Sequence, residues 1–435
     1  ASLDLTFSEA IVAGEFTLDD VALTRDGISV IRDPADLADS GNHVDWTLDD
    51  LDDLTDRVGE YELTLTASGS GITDLAGNLL AAPADDEWLM HTVLGTGGAD
   101  TISLAWNDGT SRTHVVVGVT EYDFNPANLT VLYVEAGVGD DELTVDFSDG
   151  DPLPTGGLDL DGGAGTDTLE IVGRAVADTV ACTTTQATVN GSDIDHSAVE
   201  GLVLALDGGE NAVEVDGGFG VEDLTILGGG GGSYTFEADD PDDTAGLELT
   251  LEDAADVTFE SSLRLESLAL NDTSVGTLAT STGTSRFIKT ESLSIAESGG
   301  TPTATLDLMN NSLIVDYEAG YTPFDDIEGW VAAGYNSGGW DGPGITSSTA
   351  ASDGMPTALG AGDNTDPLLG LDDLEGEDLD ADDSDVLVKF TWYGDVNLSG
   401  WVDAADYAIM DASWNGGNPT PAGGGDWRWA CGDIN

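Results

Sequence analysis

Positive charge is what this chain has least of: across 435 residues, ten Lys and Arg face 85 Asp and Glu, for a net charge of -75. Nucleic acid and anionic membrane surfaces are excluded as partners, since a phosphate array is held by basic side chains that displace its counterions. Long apolar runs are missing too, and without a stretch of about 18 apolar residues no helix is expected to insert into a membrane. Cysteine is nearly absent. Cys182 and Cys431 are too few for a disulfide scaffold and wrongly spaced for a zinc knuckle, which leaves a bridge between them and two free thiols as open alternatives. The four histidines, His43, His91, His114 and His196, fall in different stretches. There is no H-E-x-x-H among them and no G-x-S-x-G elbow, so each His is expected to be a surface or packed residue.

What the chain does have is Asp and Gly: 61 Asp against 24 Glu, and 58 Gly. A surface this acidic needs a saline medium or bound divalent cations to relieve its self-repulsion. The bias toward Asp favours cations, because Asp is a short hard-oxygen ligand that sits well in tight turns. Helical periodicity is almost absent, whereas short alternating strands broken by Gly, Asp, Asn and Ser recur throughout. The expected class is all-β with one small helical end, and the length allows roughly two to four domains.

Residues 1–91 place strands at sandwich spacing, among them "LDLTFSEAIV", "FTLDDVALT", "HVDWTLDDL" and "YELTLTAS". The stretches "FSEAI", "GEYELTLTA" and "DLAGN" (Asp74 to Asn78) resemble the Ig-like domains that occur as spacers in large bacterial surface proteins. That resemblance implies a structural β-sandwich module here.

Residues 92–300 carry Gly-Asp turns ahead of strands: "GTGGADTISL", "EAGVGDDELTV", "DGGAGTDTLEI" and "DGGENAVEV". Gly162 to Glu170 fits G-G-x-G-x-D-x-U-x, the turn of calcium-binding β-roll repeats, and the turns ending at Asp100 and Asp141 keep part of it. Asp100, Asp141 and Asp167 are therefore candidate Ca2+ ligands. A true β-roll runs its nonapeptides in tandem so that each ion sits between successive coils, and these three are dozens of residues apart. The tandem roll fails, and longer coils of a parallel β-helix or solenoid are expected instead, with Leu249, Leu251, Val257, Phe259, Leu265, Leu268 and Leu270 filling the interior. A second β-sandwich is the alternative.

Residues 301–390 read as a continuation or cap. Trp330, Tyr335 and Trp340 allow an aromatic platform for sugar rings, although aromatics between glycines more often pin a cap into a core. Residues 361–385, "AGDNTDPLLGLDDLEGEDLDADDSD", read as an acidic loop or linker.

In residues 391–435, "GDVNLSGWVDAAD" spaces oxygen donors as a twelve-residue calcium loop does. Asp395, Asn397, Ser399, the Trp401 carbonyl, Asp403 and Asp406 take positions 1, 3, 5, 7, 9 and 12, with Gly400 at the sixth, where positive φ is needed. Tyr407, Met410 and Trp414 then recur on one helical face, so helix follows loop. This loop resembles the first half of a dockerin, the EF-hand-like module that docks secreted proteins onto a cohesin. "GDIN" at the end matches the start of the second loop, which implies further calcium ligands at Asp433 and Asn435. At loop positions 10 and 11, where the family often carries Ser or Thr for cohesin recognition, this chain has Ala404 and Ala405.

The full expectation is an Ig-like β-sandwich, a parallel β-helix or solenoid, and a small α-helical dockerin-like calcium-binding segment. The order of these textures resembles very large exported bacterial surface proteins, which implies an extracellular, secreted or cell-surface life. The strand-like start without Met and the motif opening at "CGDIN" suggest a piece of a longer precursor. The expected function is a calcium-stabilised structural, adhesive or filament-forming protein that self-associates and catalyses nothing. The alternative is a secreted polysaccharide-active or carbohydrate-binding β-helix protein with a glycan or cohesin-like partner. A lyase of that kind needs a base beside its calcium ligands, and between 92 and 300 only Arg112, Arg174, Arg264, Arg286 and Lys289 are on offer.

Overall fold

The computed structural model of the chain describes residues 2–30, 36–51, 54–218, 220–229, 231–318, 320–366, 369–379 and 384–415. Among the described residues strand makes up 45% and helix 10%, so the class is all-β, with large parallel-rich sheets. The chain divides into two units, residues 1–165 with 192–198, and residues 166–191 with 199–435. That division falls inside the Gly-Asp-rich stretch. No helix among the described residues is long and apolar enough to cross a membrane.

The first unit opens with two small antiparallel sheets. One orders Leu3–Thr6, Asp45–Asp49 and Asp36–Asp39, and the other Ile28–Ser29, Val21–Arg25, Gly59–Leu65 and Ala84–Met90. Alternation buries one face of each: Trp46 and Leu48 from the first and Val21, Leu23, Tyr61 and Leu63 from the second share one apolar cluster. Phe16 closes it, meeting Phe7 and Trp46 edge-on at 5.2 Å each.

Parallel pairing begins after residue 91. Thr92–Leu94, Leu132–Glu135, Leu158–Asp161 and Ser192–Ser197 run in register, and Thr101–Asn107 pairs parallel with Glu142–Asp146. Two antiparallel strands, Arg112–Val117 and Thr120–Phe124, extend the latter sheet. The turn at Asp26 is fastened to this region. Its carboxylate accepts from Arg112 Nη1 at 3.2 Å, Asn125 N at 3.2 Å and Asn128 Nδ2 at 3.2 Å.

In the second unit the chain alternates between two parallel sheets. One orders Thr168–Val172, Gly201–Ala205, Asp223–Leu227, Glu248–Glu252, Leu263–Leu270, Phe287–Ile295 and Ser312–Asp316, then adds Asp385–Trp392 and Thr357–Asp363 antiparallel. The other includes Thr179–Cys182, Glu210–Val215, Ser233–Ala238, Asp256–Phe259, Val275–Leu278, Thr305–Asp307 and Gly344–Thr346. The register stacks like on like: Ile171, Leu204, Ile226, Leu251, Leu270 and Ile295 form one apolar column. Val180, Val213, Phe236, Phe259 and Leu278 form another, with both columns buried. A strand of this kind has nothing to bury its inward face against until the next one arrives, which is why repetition stabilises it. The seven expected interior residues from Leu249 to Leu270 are all buried.

In residues 301–390 the aromatics follow the anchoring reading, and the expectation that changes is the acidic loop or linker. Trp330 and Trp340 are only 9% and 4% exposed, Trp330 Nε1 donates to Glu297 Oε1 at 2.8 Å, and Tyr335 meets Trp340 edge-on. These rings pin the helix Phe324–Tyr335 inward and offer no stacking platform. The acidic stretch 361–385 begins within the strand Thr357–Asp363, and its residues 369–379 form a small hairpin, Asp373–Leu374 against Glu377–Asp378. Leu369 and Leu374 are buried there with Ile314 and Leu387. Apolar residues spaced among the carboxylates, "LGLDDLEGEDL", dock it.

Candidate metal centre

Each expected Gly-Asp corner sits immediately ahead of a strand: Asp100 before Thr101–Asn107, Asp141 before Glu142–Asp146, Asp167 before Thr168–Val172. The corner glycines touch backbone to backbone. Ala164 N donates to Gly137 O at 2.9 Å and Gly139 N to Ala164 O at 2.8 Å. A Cβ on Gly163 would lie 2.0 Å from Gly137 O, and one on Gly165 would lie 1.8 Å from Gly139 O. Glycine is thus demanded by close stacking of neighbouring corners.

The acidic residues of the corners serve the same stacking. Asp141 Oδ1 accepts from Asp100 N at 2.7 Å, Glu200 Oε2 from Asp167 N at 2.8 Å, and Asn211 Oδ1 from Asp178 N at 2.9 Å. The Asp100 carboxylate turns back to its own corner and accepts from Thr96 N at 2.5 Å. Asp141 and Asp167 are 4% and 2% exposed. The carboxylates of Asp100 and Asp141 accept from backbone N–H groups, while Asp167 donates its own N–H to Glu200. Asn211 fills the role as well as a carboxylate does, which fits hydrogen bonding better than charge.

The loop 395–406 is organised differently, because all its oxygens come from one short segment. Asp395 and Asp406, at positions 1 and 12, are both 0% exposed. Asp395 accepts from Ser399 N at 3.0 Å, from Gly400 N at 2.7 Å and from the Thr391 hydroxyl. Asp406 accepts from Val396 N at 2.9 Å and Asp403 N at 2.7 Å. Gly400 has φ +90, so the chain turns back sharply where the spacing required it. Asn397 Oδ1 accepts from Ser399 N at 3.1 Å, and Trp401 O from Ser399 Oγ at 3.2 Å. The helix Ala404–Asn415 follows.

Carboxylates of Asp395, Asp403 and Asp406, the Asn397 amide, the Ser399 hydroxyl and the Trp401 carbonyl are hard oxygen donors of the kind Ca2+ takes. The carboxylates of Asp395 and Asp406 are buried and already accept hydrogen bonds from the loop and from Thr391, and a hard cation is a partner their remaining lone pairs would also suit. Among the described residues no group of three or more His, Cys, Asp or Glu side chains is gathered as a metal cluster, this loop included. The amide, hydroxyl and carbonyl oxygens are needed to complete a shell. Asp433, Asn435 and Cys431 lie outside the described residues.

The remaining titratable candidates sit apart from one another. His114 Nδ1 is 2.8 Å from Asp123, His43 contacts Asp39, and His91 packs on Tyr133. Burial lowers the pKa of His196. Cys182 points inward, and burial pushes its thiol up to about 12. Residues that the spacing did not flag also belong to the loop's surroundings: Thr391, which donates its hydroxyl to Asp395, and Leu398. Leu398 sits between two ligand positions and is 1% exposed, and an apolar residue in the midst of six donors was the available signal.

No protein-family model, curated protein or solved structure matches the chain.

Proposed function

We propose that the chain is a calcium-stabilised structural protein of an extracellular or cell-surface assembly, without catalytic activity. In this reading residues 1–91 are an Ig-like β-sandwich, the parallel strands form a β-helix, and the C-terminal segment is dockerin-like. The observation that carries it is the loop 395–406, where Asp395 and Asp406 are buried and held in place by the loop's own N–H groups. A Ca2+ ion there would neutralise charge and lock the turn.

Two further features support the reading. The five basic residues between 92 and 300 each face a carboxylate: Arg112 with Asp26, Arg174 with Asp178, Arg264 with Glu377, Arg286 with Glu260 and Lys289 with Asp316, at 2.7 to 3.8 Å. A base held as an ion pair is poorly placed to take a proton from a polysaccharide, which puts the lyase alternative second. The edge strand Ala84–Met90 shows Asp85, Asp86 and Glu87 to solvent. Charges on an edge oppose pairing with another copy until they are neutralised, so self-association through divalent cations is the expected mode.

Electron microscopy and light scattering of the full chain with calcium and with EDTA test this. Calcium should raise the melting temperature and promote ordered assembly. If chelation changes neither, the proposal is wrong.

A further inference from the structure

We infer that the calcium loop is not a tethered module but the latch of the β-sheet cap, so that cation binding at 395–406 and docking of the acidic hairpin 369–379 stabilise each other. The inference rests on the reading of the loop as a calcium site and adds what that site regulates.

The geometry makes the loop part of the sheet's end. It follows directly on the strand Asp385–Trp392, whose Thr391 hydroxyl donates to Asp395, and Asp395 N donates to Trp392 O at 3.1 Å. Leu398, loop position 4, lies between the ligand positions of Asn397 and Ser399 and has φ +55. Its side chain is 1% exposed and belongs to one apolar cluster with Leu369 and Leu374 of the acidic segment and Ile314 and Leu387 of the sheet. A residue that both shapes a ligand loop and fills a neighbour's core cannot leave one without disturbing the other.

Charge works in the same direction. The hairpin segment carries Asp372, Asp373, Glu375, Glu377 and Asp378, and two of these are held by cations projecting from the sheet. Lys389 Nζ is 3.3 Å from Glu375 Oε1, and Arg264 grips Glu377 at 3.2 and 2.7 Å. Lys389 Nζ also lies 3.9 Å from where a Cβ on Gly400 would be, so the same ammonium stands beside the calcium loop and the hairpin. Without a cation, the carboxylates of Asp395, Asp403 and Asp406 repel those of the hairpin. A bound divalent ion removes that repulsion, and the hairpin seats more firmly.

Hydrogen exchange of the full chain, with mass-spectrometric peptide readout, tests this in CaCl2 and in EGTA, beside calcium titration by calorimetry. Calcium should slow exchange at least about fivefold in peptides covering 369–379 as well as in those covering 395–406. Leu398→Ala should weaken calcium binding about tenfold and abolish the calcium-dependent slowing at 369–379. Asp406→Asn, which leaves Leu398 in place, should abolish that slowing while the circular dichroism of the sheets is kept. If calcium binds and protects 395–406 but leaves 369–379 unchanged, the coupling is overturned and the calcium site stands. A Leu398→Ala chain that binds calcium within twofold of wild type overturns it as well. If wild type binds no calcium, the site itself fails, and the coupling with it.

Discussion

Replacing Gly163 by Ala separates a corner built for stacking from a corner built for calcium. Gly163 has φ +95, a conformation that costs an L-residue about 1–2 kcal/mol. Its new Cβ would sit 2.0 Å from Gly137 O, whereas real Cβ atoms essentially never approach closer than 3.0 Å. The two corners must therefore separate by about 1 Å or more. That displacement breaks or weakens the bonds from Ala164 N to Gly137 O at 2.9 Å and from Gly137 N to Gly162 O at 3.2 Å. With about 1 kcal/mol or more for each backbone bond left unmade, the expected loss is about 3–6 kcal/mol. Gly97→Ala is the matched control: no atom lies within 4 Å of its Cβ, and a change within about 1 kcal/mol is expected. Urea unfolding followed by circular dichroism, in EGTA and in calcium, measures both. A Gly163→Ala chain within about 1 kcal/mol of wild type in EGTA, or one destabilised only when calcium is present, would refute the stacking account.

Three more outcomes follow from charge and burial. Glu248 lies exposed on its strand, and partial loss of hydration there, with the Asp223 and Glu266 carboxylates nearby, raises its pKa above the ordinary 4.5, so the folded state binds this proton more tightly than the unfolded one. The group's contribution is favourable below that range and is lost as pH rises through the folded pKa. Glu248→Gln should raise the melting temperature at pH 7 and have no effect near pH 4, and an unchanged melting temperature at pH 7 would count against it. Cys182, buried and pushed up to about 12, should resist a thiol reagent at pH 8 in the folded chain and react on unfolding; rapid labelling of the native thiol would contradict its placement. Glu377→Ala removes the partner of Arg264 at a site only 9% exposed and should cost about 1–3 kcal/mol by chemical denaturation. Asp242→Ala, at the 76% exposed end of the same guanidinium, should cost less than about 1 kcal/mol, and equal losses would contradict the assigned roles.

The all-β class and the interior of the second unit were legible because both rest on period-two alternation, which reports directly on which side chains face inward. Leu249, Leu251, Val257 and Phe259 are buried as that pattern requires. Partner choice was not legible. Nothing in "SRTHVVVGVTEYDF" says that Arg112–Val117 and Thr120–Phe124 add antiparallel strands beside a parallel pair. Composition misled at 369–379 for a physical reason: averaging over carboxylates conceals four spaced leucines, and Arg264, Lys289 and Lys389 that meet the carboxylates come from distant strands. Trp330 and Trp340 were ambiguous for a related reason. An aromatic ring between glycines is more often a buried anchor than an exposed platform, but what completes the anchor, Glu297 receiving the Trp330 indole N–H, lies far away in sequence.

The two Asp-rich motifs differ in how much of their geometry is local. A twelve-residue loop carries every donor it needs, so spacing alone sets Asp395 and Asp406 at its two ends with Gly400 between them, and each accepts from amides of the same loop, Asp395 from Ser399 N and Gly400 N, Asp406 from Val396 N and Asp403 N. A Gly-Asp corner supplies one carboxylate, and a cation there must collect the rest from neighbouring corners whose offset depends on everything threaded between. With dozens of residues between corners, a corner side chain reaches a backbone N–H of the neighbouring corner: Asp141 meets Asp100 N, as Asn211 meets Asp178 N. The amide does this without charge, so Asp141→Asn should preserve stability to within about 1 kcal/mol in calcium and in EGTA alike, while Asp141→Ala should cost about 1–3 kcal/mol by stranding the Asp100 N–H. Denaturant titration of the two variants decides between hydrogen bonding and charge. A calcium-dependent loss on Asp141→Asn would return that corner to the metal.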